Sequence, residues 1–247
     1  YAETLPNPKL EVFPIKEVSD IGRPLGIPLI MDNTAAPVIC RPLDHGAAVV
    51  MYSTTKYITG NGTSIGGMII DGGNFDWEGH KARQPYLNEP DPSYHGAVWT
   101  EAVKPLGPIA YILKARTTLL RDLGAPMAPF NAFMAIHGLE TVSLRMERHC
   151  ENAIKVADRL NGHAAIEKVI FPSLMTGEAK RRADAYMNGG YGSLMGILLK
   201  GGAEAGAKFI DKLQMFYHVA NIGDARSLAI HPATTTHSQL NEEQQRA

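Results

Sequence analysis

Two apolar runs that each end in polar side chains constrain the fold most. The run at residues 27–33, IPLIMDN, is polar only at its C-terminal end, where Asp32 lies. A second run, AAVVMYS, ends at Ser53, and Lys56 follows shortly after it. Continuous apolar runs of this length are typical of strands buried on both faces of an α/β sheet. Because short helical connections separate the runs, the sequence predicts a doubly wound α/β arrangement with Asp32 and Lys56 at one sheet edge.

The C-terminal part of the chain has its own pattern of helices and strands. Apolar residues, among them Met146 and Val156, recur at helical spacing and predict one long helix. Two apolar runs then flank a charged helical segment, and a last helix is predicted at residues 206–215. We therefore predict a large α/β domain at residues 1–138 and a smaller αβ domain, joined through the long helix, at residues 139–247.

Composition argues against several kinds of partner. Lys and Arg total 24 and Asp and Glu total 25, so net charge gives no reason to expect binding to nucleic acid or to an anionic membrane. The sequence has no apolar run long enough to span a bilayer. Two cysteines, Cys40 and Cys150, lie outside any CxxC pair, which predicts buried, reduced thiols and a cytoplasmic protein.

Two further motifs have ordinary structural interpretations. None of the nine histidines forms an HxxxH or HExxH pair, so we expect no metal site. The glycine-rich loop GNGTSIG superficially resembles a dinucleotide-binding loop, but the sequence after it predicts a strand rather than a helix. A flexible turn that lets the backbone approach a ligand closely is the better interpretation of this loop.

The polar residues at the strand ends match the needs of pyridoxal 5′-phosphate (PLP). This cofactor needs a lysine amine for its aldehyde, a carboxylate for its pyridine nitrogen, and donors for its phenolic oxygen and phosphate. Lys56 supplies the amine and Asp32 the carboxylate. Asn7, in an earlier turn, supplies a donor for the phenolic oxygen, and the hydroxyls of Ser53 and Thr55 supply donors for the phosphate. From the residues alone, a surface strand that turns into a polar loop stays open as an alternative.

Several longer strings resemble one family of PLP enzymes. The strings ETLPNP, MDNTAAP and YSTTKYITGNGTSIGG resemble the Cys/Met-metabolism family of fold-type I PLP-dependent enzymes. The strings DGGNFDW, PDPSYHG and NIGDARSLAIHPATTTHSQL are similar to its O-acetylhomoserine sulfhydrylase branch. The resemblance implies a large PLP-binding domain with a mixed α/β sheet and a smaller C-terminal αβ domain. It also implies that segments at both ends of the family's chain are absent here.

The resemblance implies a role for each candidate residue. Lys56 falls at the family's catalytic Schiff-base lysine and Asp32 at the partner of the pyridinium nitrogen. Asn7 falls at the contact to the cofactor hydroxyl, and Ser53 and Thr55 fall at phosphate ligands.

The resemblance also implies a contact with the substrate and contacts between subunits. Asn221 falls where relatives hold a backbone contact to the substrate carboxylate, although many of them have serine at this position. Members of the family assemble as homo-oligomers, commonly dimers of dimers, so we expect a homotetramer.

The resemblance implies an enzyme of methionine biosynthesis or transsulfuration. The expected reaction is a γ-replacement in which O-acetyl-L-homoserine and sulfide, or a thiol, give L-homocysteine, or methionine, and acetate. Alternatives within the family are O-succinylhomoserine sulfhydrylase, cystathionine γ-synthase, and cystathionine or methionine γ-lyase. Outside catalysis, the alternative is an assembly domain that keeps only the fold.

Overall fold

The computed structural model of the chain describes residues 1–241 and 243–244, and its strands are short. Apolar runs between turns supply most of them, as expected for buried strands. The strands are β1 (Ala2–Glu3), β2 (Ile30–Asp32), β3 (Val49–Ser53), β4 (Gly67–Asp71), β5 (Ile166–Ile170), β6 (Gly196–Leu199), β7 (Tyr217–His218) and β8 (Leu228–Ala229).

Helices connect and cover these strands. They are α1 (Ile15–Gly22), α2 (Pro85–Asn88), α3 (Trp99–Ala102), α4 (Ala110–Lys114), α5 (Pro129–Leu139), α6 (Val142–Leu160), α7 (Gly177–Tyr186) and α8 (Gly202–Asp211). Two segments wind more loosely, as π-helical turns. One spans Thr54–Ile58 directly after β3, and the other, Ala115–Asp122, continues α4.

The main sheet brings the ends of β2 and β3 together. Among the described residues, β1, β2, β3 and β4 lie side by side in that order, the first three parallel and β4 antiparallel to β3. The expected mixed sheet is confirmed, but its strands follow chain order without the reversal that defines a doubly wound sheet. Asp32 and Ser53 still share one edge, because parallel neighbours end on the same side.

One apolar cluster joins the two predicted domains. Met31 and Val50 from the sheet lie in the same buried cluster as Met146 and Cys150 from α6. All four side chains are at most 2% exposed. The long helix and the main sheet therefore contribute to one apolar core, and the boundary between residues 138 and 139 stays a prediction.

The long helix is confirmed, but the prediction that Val156 lies on its apolar face is wrong. Val156 is 43% exposed, whereas Ala157 is fully buried. The buried positions are Met146, Cys150, Ala153 and Ala157, which recur at steps of three and four. Three of these four residues are small. A search for strongly apolar residues therefore selects the larger Val156 in place of Ala157.

Two other helices differ from the sequence prediction. The last one begins at Gly202, earlier than predicted, because Gly201, at φ +100°, makes the turn that starts it, and Gly206 lies within it. Helix α5 was missed. Its sequence PFNAFMAIHGL is apolar on most sides and so lacks the periodicity that identifies a surface helix.

Both cysteines have the predicted environment. Cys40 and Cys150 are free thiols and buried. Burial raises the pKa of the Cys40 thiol to about 12 and also raises that of Cys150. Neither thiol is therefore a ready nucleophile at neutral pH.

Over the described residues, none of the helices is long and apolar enough to cross a membrane. The same part of the chain contains no group of three or more His, Cys, Asp or Glu side chains placed to hold a metal ion.

Candidate active site

Four of the predicted residues line one cleft at the carboxyl edge of the main sheet. They are Asn7, Asp32, Ser53 and Lys56. The remaining lining residues come from both halves of the chain: Glu3, Leu5, Thr34, Ala35, Leu194 and Ile222. An amine, a carboxylate, an amide and a hydroxyl therefore converge in a single cleft, as the sequence predicts.

Asp32 is held by the backbone that follows it. Its Oδ1 accepts a hydrogen bond from the Thr34 N–H at 2.9 Å. The Thr34 hydroxyl in turn accepts one from the Ser53 N–H at 2.8 Å, which links the ends of β2 and β3. Asp32 Oδ2 accepts a hydrogen bond from the Tyr1 hydroxyl at 2.9 Å. The carboxylate is thus fixed at the edge of the sheet.

A second carboxylate, which sequence reasoning missed, lies beside Asp32. Glu3 ends β1 as Asp32 ends β2, and the two are partners in the parallel register. Burial, and then the charge of Asp32, raise the pKa of Glu3. The backbone N–H of Asn7 acts in the opposite direction and lowers this pKa, so the Asn7 turn lies close to Glu3. Two neighbouring carboxylates make this end of the cleft suited to a cationic group. The strand-end position of Glu3 was the signal that could have identified it.

Lys56 lies in the π-helical turn after β3, where the backbone departs from helical geometry. Its φ and ψ angles are −90° and −123°. The Lys56 Nζ donates a hydrogen bond to Asn221 Oδ1 at 3.0 Å. The structure therefore places the side chain of Asn221 at the amine. A contact between the Asn221 backbone and a substrate carboxylate stays a prediction.

Thr55 is not among the residues that line the cleft. Its hydroxyl accepts a hydrogen bond from the Gly66 N–H at 3.1 Å and lies 3.3 Å from the Gly66 carbonyl oxygen. This side chain therefore holds the glycine-rich loop against the turn that carries Lys56. Of the two predicted phosphate ligands, Ser53 lines the cleft and Thr55 does not, and phosphate binding by either residue stays a prediction.

The glycines of the loop allow close contacts with other parts of this chain. A Cβ on Gly60, at φ +78°, would lie 2.4 Å from Arg145 Nη1. A Cβ on Gly62, at φ +68°, would lie 3.1 Å from Asn221 Nδ2. These glycines thus permit close approach between the loop backbone and protein side chains, and close approach to a ligand stays a prediction.

Arg145, also missed from sequence, fastens the turn that carries Lys56. Its guanidinium donates to the carbonyl oxygens of Tyr57 at 2.6 Å, Ile58 at 2.9 Å and Gly138 at 2.8 Å. Burial lowers the pKa of this guanidinium. A charged donor shared among three carbonyl groups closes the C-terminal end of a turn whose own hydrogen bonds are incomplete.

Comparisons with known proteins identify the family of the chain. A family model described as "Cys/Met metabolism PLP-dependent enzyme" matches residues 1–247. The chain belongs to this family. It is 50% identical to an O-acetyl-L-homoserine sulfhydrylase of Leptospira meyeri, in an alignment covering 99% of this chain and 57% of that protein. It is 42% identical to a homocysteine synthase of Schizosaccharomyces pombe, over 99% of this chain and 57% of that protein.

A solved structure supports the fold and the cofactor class. A Campylobacter jejuni chain that contains N′-pyridoxyl-lysine-5′-monophosphate superposes with a TM-score of 0.89 and 37% identity. The match covers 99% of this chain and 58% of that one. The fold is therefore that of the fold-type I PLP-dependent enzymes, as expected. The chain spans less than two thirds of the length of these relatives.

The contacts of Arg145 predict a measurable loss of stability. Arg145→Met should lower the free energy of unfolding by about 2–4 kcal/mol, because hydrogen bonds from a charged donor are strong and their acceptors would be left unpaired. Denaturant unfolding measures this change. Amide hydrogen exchange at residues 54–60 should also become faster.

Arg148→Met is the matched control, on the same helix. Arg148 is 74% exposed and pairs with Glu151 on the surface, so its loss should change the free energy of unfolding by less than about 1 kcal/mol. Equal destabilisation by both substitutions would contradict the role given to Arg145.

Proposed function

We propose that the protein is a PLP-dependent γ-replacement enzyme that converts O-acetyl-L-homoserine and sulfide to L-homocysteine and acetate. The observation that carries this proposal is the convergence of Lys56 and Asp32 in one cleft, in a chain of this family. The names of the similar proteins from Leptospira and Schizosaccharomyces support the choice of reaction.

The residues of the cleft fit the cofactor. Lys56 would hold the aldehyde through its amine, and Asp32 would hold the pyridine nitrogen. Asn7 would contact the ring hydroxyl, and Ser53 and Thr55 would contact the phosphate. The paired carboxylates of Asp32 and Glu3 favour a cationic ring nitrogen at the sheet edge. When bound, PLP supplies an electron sink for the charge that forms when substrate carbon atoms lose protons.

The chain's own residues would then move protons and hold charge. Lys56, once its amine is free, would take the proton from the α-carbon of the substrate as a general base. Asp32 would keep the ring nitrogen protonated throughout, since its carboxylate is fixed by the Thr34 N–H. In the overall reaction the C–O bond to acetate breaks at the γ-carbon, and a C–S bond to sulfide forms there.

The same proposal extends to assembly and location. A homo-oligomer, a dimer of dimers as in the family, would cover apolar surface such as the stripe on α5. Phe130, Phe133 and Ile136 are 60–69% exposed along that helix. Two free, buried thiols are consistent with a reducing cytoplasm.

The reaction is tested by two parallel assays. One contains O-acetyl-L-homoserine and sulfide, and the other contains O-succinyl-L-homoserine and cysteine. We expect homocysteine in the first and little cystathionine in the second. Lys56→Ala should be essentially inactive, because each general acid–base step contributes about 10²–10⁴-fold.

The products also identify the alternatives. If cystathionine forms readily and homocysteine does not, the protein is a cystathionine γ-synthase. If α-ketobutyrate accumulates without an added thiol, it is a γ-lyase. If product forms only when O-succinyl-L-homoserine is combined with sulfide, the protein is an O-succinylhomoserine sulfhydrylase. If no combination gives product while PLP stays bound, the assembly role gains support.

The role of Asp32 predicts a separation between cofactor binding and turnover. Asp32→Asn should still give a lysine-linked PLP absorption band, because Lys56 is intact. It should lower kcat by about 10²-fold or more, since a preorganised charge is lost where charge develops. Asp211→Asn, an exposed change at the end of α8, is the control. A wild-type kcat for Asp32→Asn would exclude this role.

The oligomeric state is measured by multi-angle light scattering. We expect a mass several times that of one chain, and four times if the family's dimer of dimers is formed. A monomer at micromolar concentration with PLP fully bound would contradict the assembly proposal.

A further inference from the structure

A series of polar side chains leads away from the amine of Lys56. Its first member is Asn221, whose Oδ1 accepts from Lys56 Nζ at 3.0 Å. Its second is Asp224, whose carboxylate lies beside the Asn221 NH₂, a neighbour that helps to lower the pKa of Asp224. A Cβ on Gly62 would lie 3.1 Å from Asn221 Nδ2 and 3.2 Å from Asp224 Oδ2, so both atoms lie beside the same glycine.

Asp224 is buried but not isolated. Its side chain is 2% exposed and forms an ion pair with Arg226, which is 53% exposed. Asp224 Oδ1 accepts from the backbone N–H of Arg226 at 2.8 Å and from its Nε at 3.0 Å. Asp224 Oδ2 accepts from Arg226 Nη2 at 2.9 Å. These contacts, first of all the side-chain bond to Arg226, lower the pKa of Asp224, so it stays a carboxylate.

An ionised carboxylate can only accept hydrogen bonds. The group of Asn221 that faces Asp224 must therefore be its NH₂, and its carbonyl oxygen is left to face the other way, toward Lys56. We propose that Asp224 is a positioning residue that orients the amide of Asn221 so that its oxygen holds the amine of Lys56. The catalytic role of Lys56 in this inference rests on the proposed function, but the contacts themselves do not.

The proposal explains three sequence features together. Asn221 carries an amide, and an amide has distinct donor and acceptor ends that need orienting. Asp224 supplies that orientation and Arg226 supplies the counter-charge. Gly62 leaves the room in which the Asn221 amide and the Asp224 carboxylate meet.

Asp224→Asn is the decisive substitution. The side chain keeps its shape, but one of its two acceptor oxygens becomes an NH₂ donor. The new amide oxygen would occupy the Oδ1 position, where two Arg226 donors require an acceptor. Its NH₂ would then occupy the Oδ2 position, where it would face both Arg226 Nη2 and the NH₂ of Asn221. Two donors cannot pair, so the Asn221 amide should turn over and present its NH₂ to Lys56.

The readout is the chemical reactivity of Lys56 in protein freed of PLP. Fluorodinitrobenzene labels uncharged amines, and mass spectrometry of the peptide that contains Lys56 gives the rate. Asp224→Asn should raise this rate about threefold to tenfold, the range expected when one hydrogen bond is lost. A donor facing the amine also disfavours its charged, unreactive form. Asn221→Ala should raise the rate similarly.

A double-mutant cycle separates positioning from a direct charge effect. If Asp224 acts through Asn221, Asp224→Asn should change the labelling rate by less than twofold in the Asn221→Ala background. The exposed change Asp211→Asn should leave the rate within twofold of wild type. A rate within twofold for Asp224→Asn in the wild-type background, or an equal rise in the Asn221→Ala background, would overturn the proposal.

A measurement on the unsubstituted protein covers the case in which Asp224→Asn does not fold. The side-chain NH₂ protons of Asn221, seen by NMR with labelled asparagine, should exchange with water at least tenfold more slowly than those of the exposed Asn161. Equal exchange rates would exclude the bond to Asp224. Neither readout depends on turnover, so failure of the proposed reaction in the homocysteine assay is distinguishable from failure of this inference.

Discussion

The parallel pairing of β2 and β3 is the constraint on which the site depends. Parallel neighbours end on the same side, so Asp32 and Ser53 meet at one edge although they lie far apart in the chain. Thr34 completes the junction, because its N–H binds Asp32 while its hydroxyl accepts from the Ser53 N–H. The other residues of the cleft lie around this edge of the sheet. Glu3 extends it by one strand and adds a second carboxylate.

Lys56 lies beyond that edge, and the C-terminal half of the chain holds it there. Arg145 binds the carbonyl groups that follow Lys56, and Tyr57 shares a 2.6 Å hydrogen bond with Ser193. Asn221 accepts a hydrogen bond from the amine itself. A short, loosely wound turn would be mobile on its own, since few of its backbone groups are paired. These three contacts explain how a reactive amine is kept in one position.

The charges of the site are arranged in separate groups. Asp32 and Glu3 lie side by side at the sheet edge, and their proximity contributes to the raised pKa of Glu3. Asp224 is instead neutralised by Arg226 and touches the amine only through the uncharged amide of Asn221. The charged guanidinium of Arg145 donates hydrogen bonds to backbone carbonyl groups. The two carboxylates at the sheet edge are therefore suited to a cationic group, in keeping with the role proposed for Asp32.

The sequence by itself determined the strands β2 to β6, the long helix and four residues of the cleft. Uninterrupted apolar runs identify buried strands, and polar residues at their ends identify the functional edge, because both signals are local. The tertiary structure alone decided which strands are neighbours, which face of α6 is buried, and where Thr55 points. It also supplied Arg145, Glu3 and the Asn221–Asp224 contact. Each of these depends on atoms that are distant in the chain, and no spacing of residues along a sequence records which of them meet.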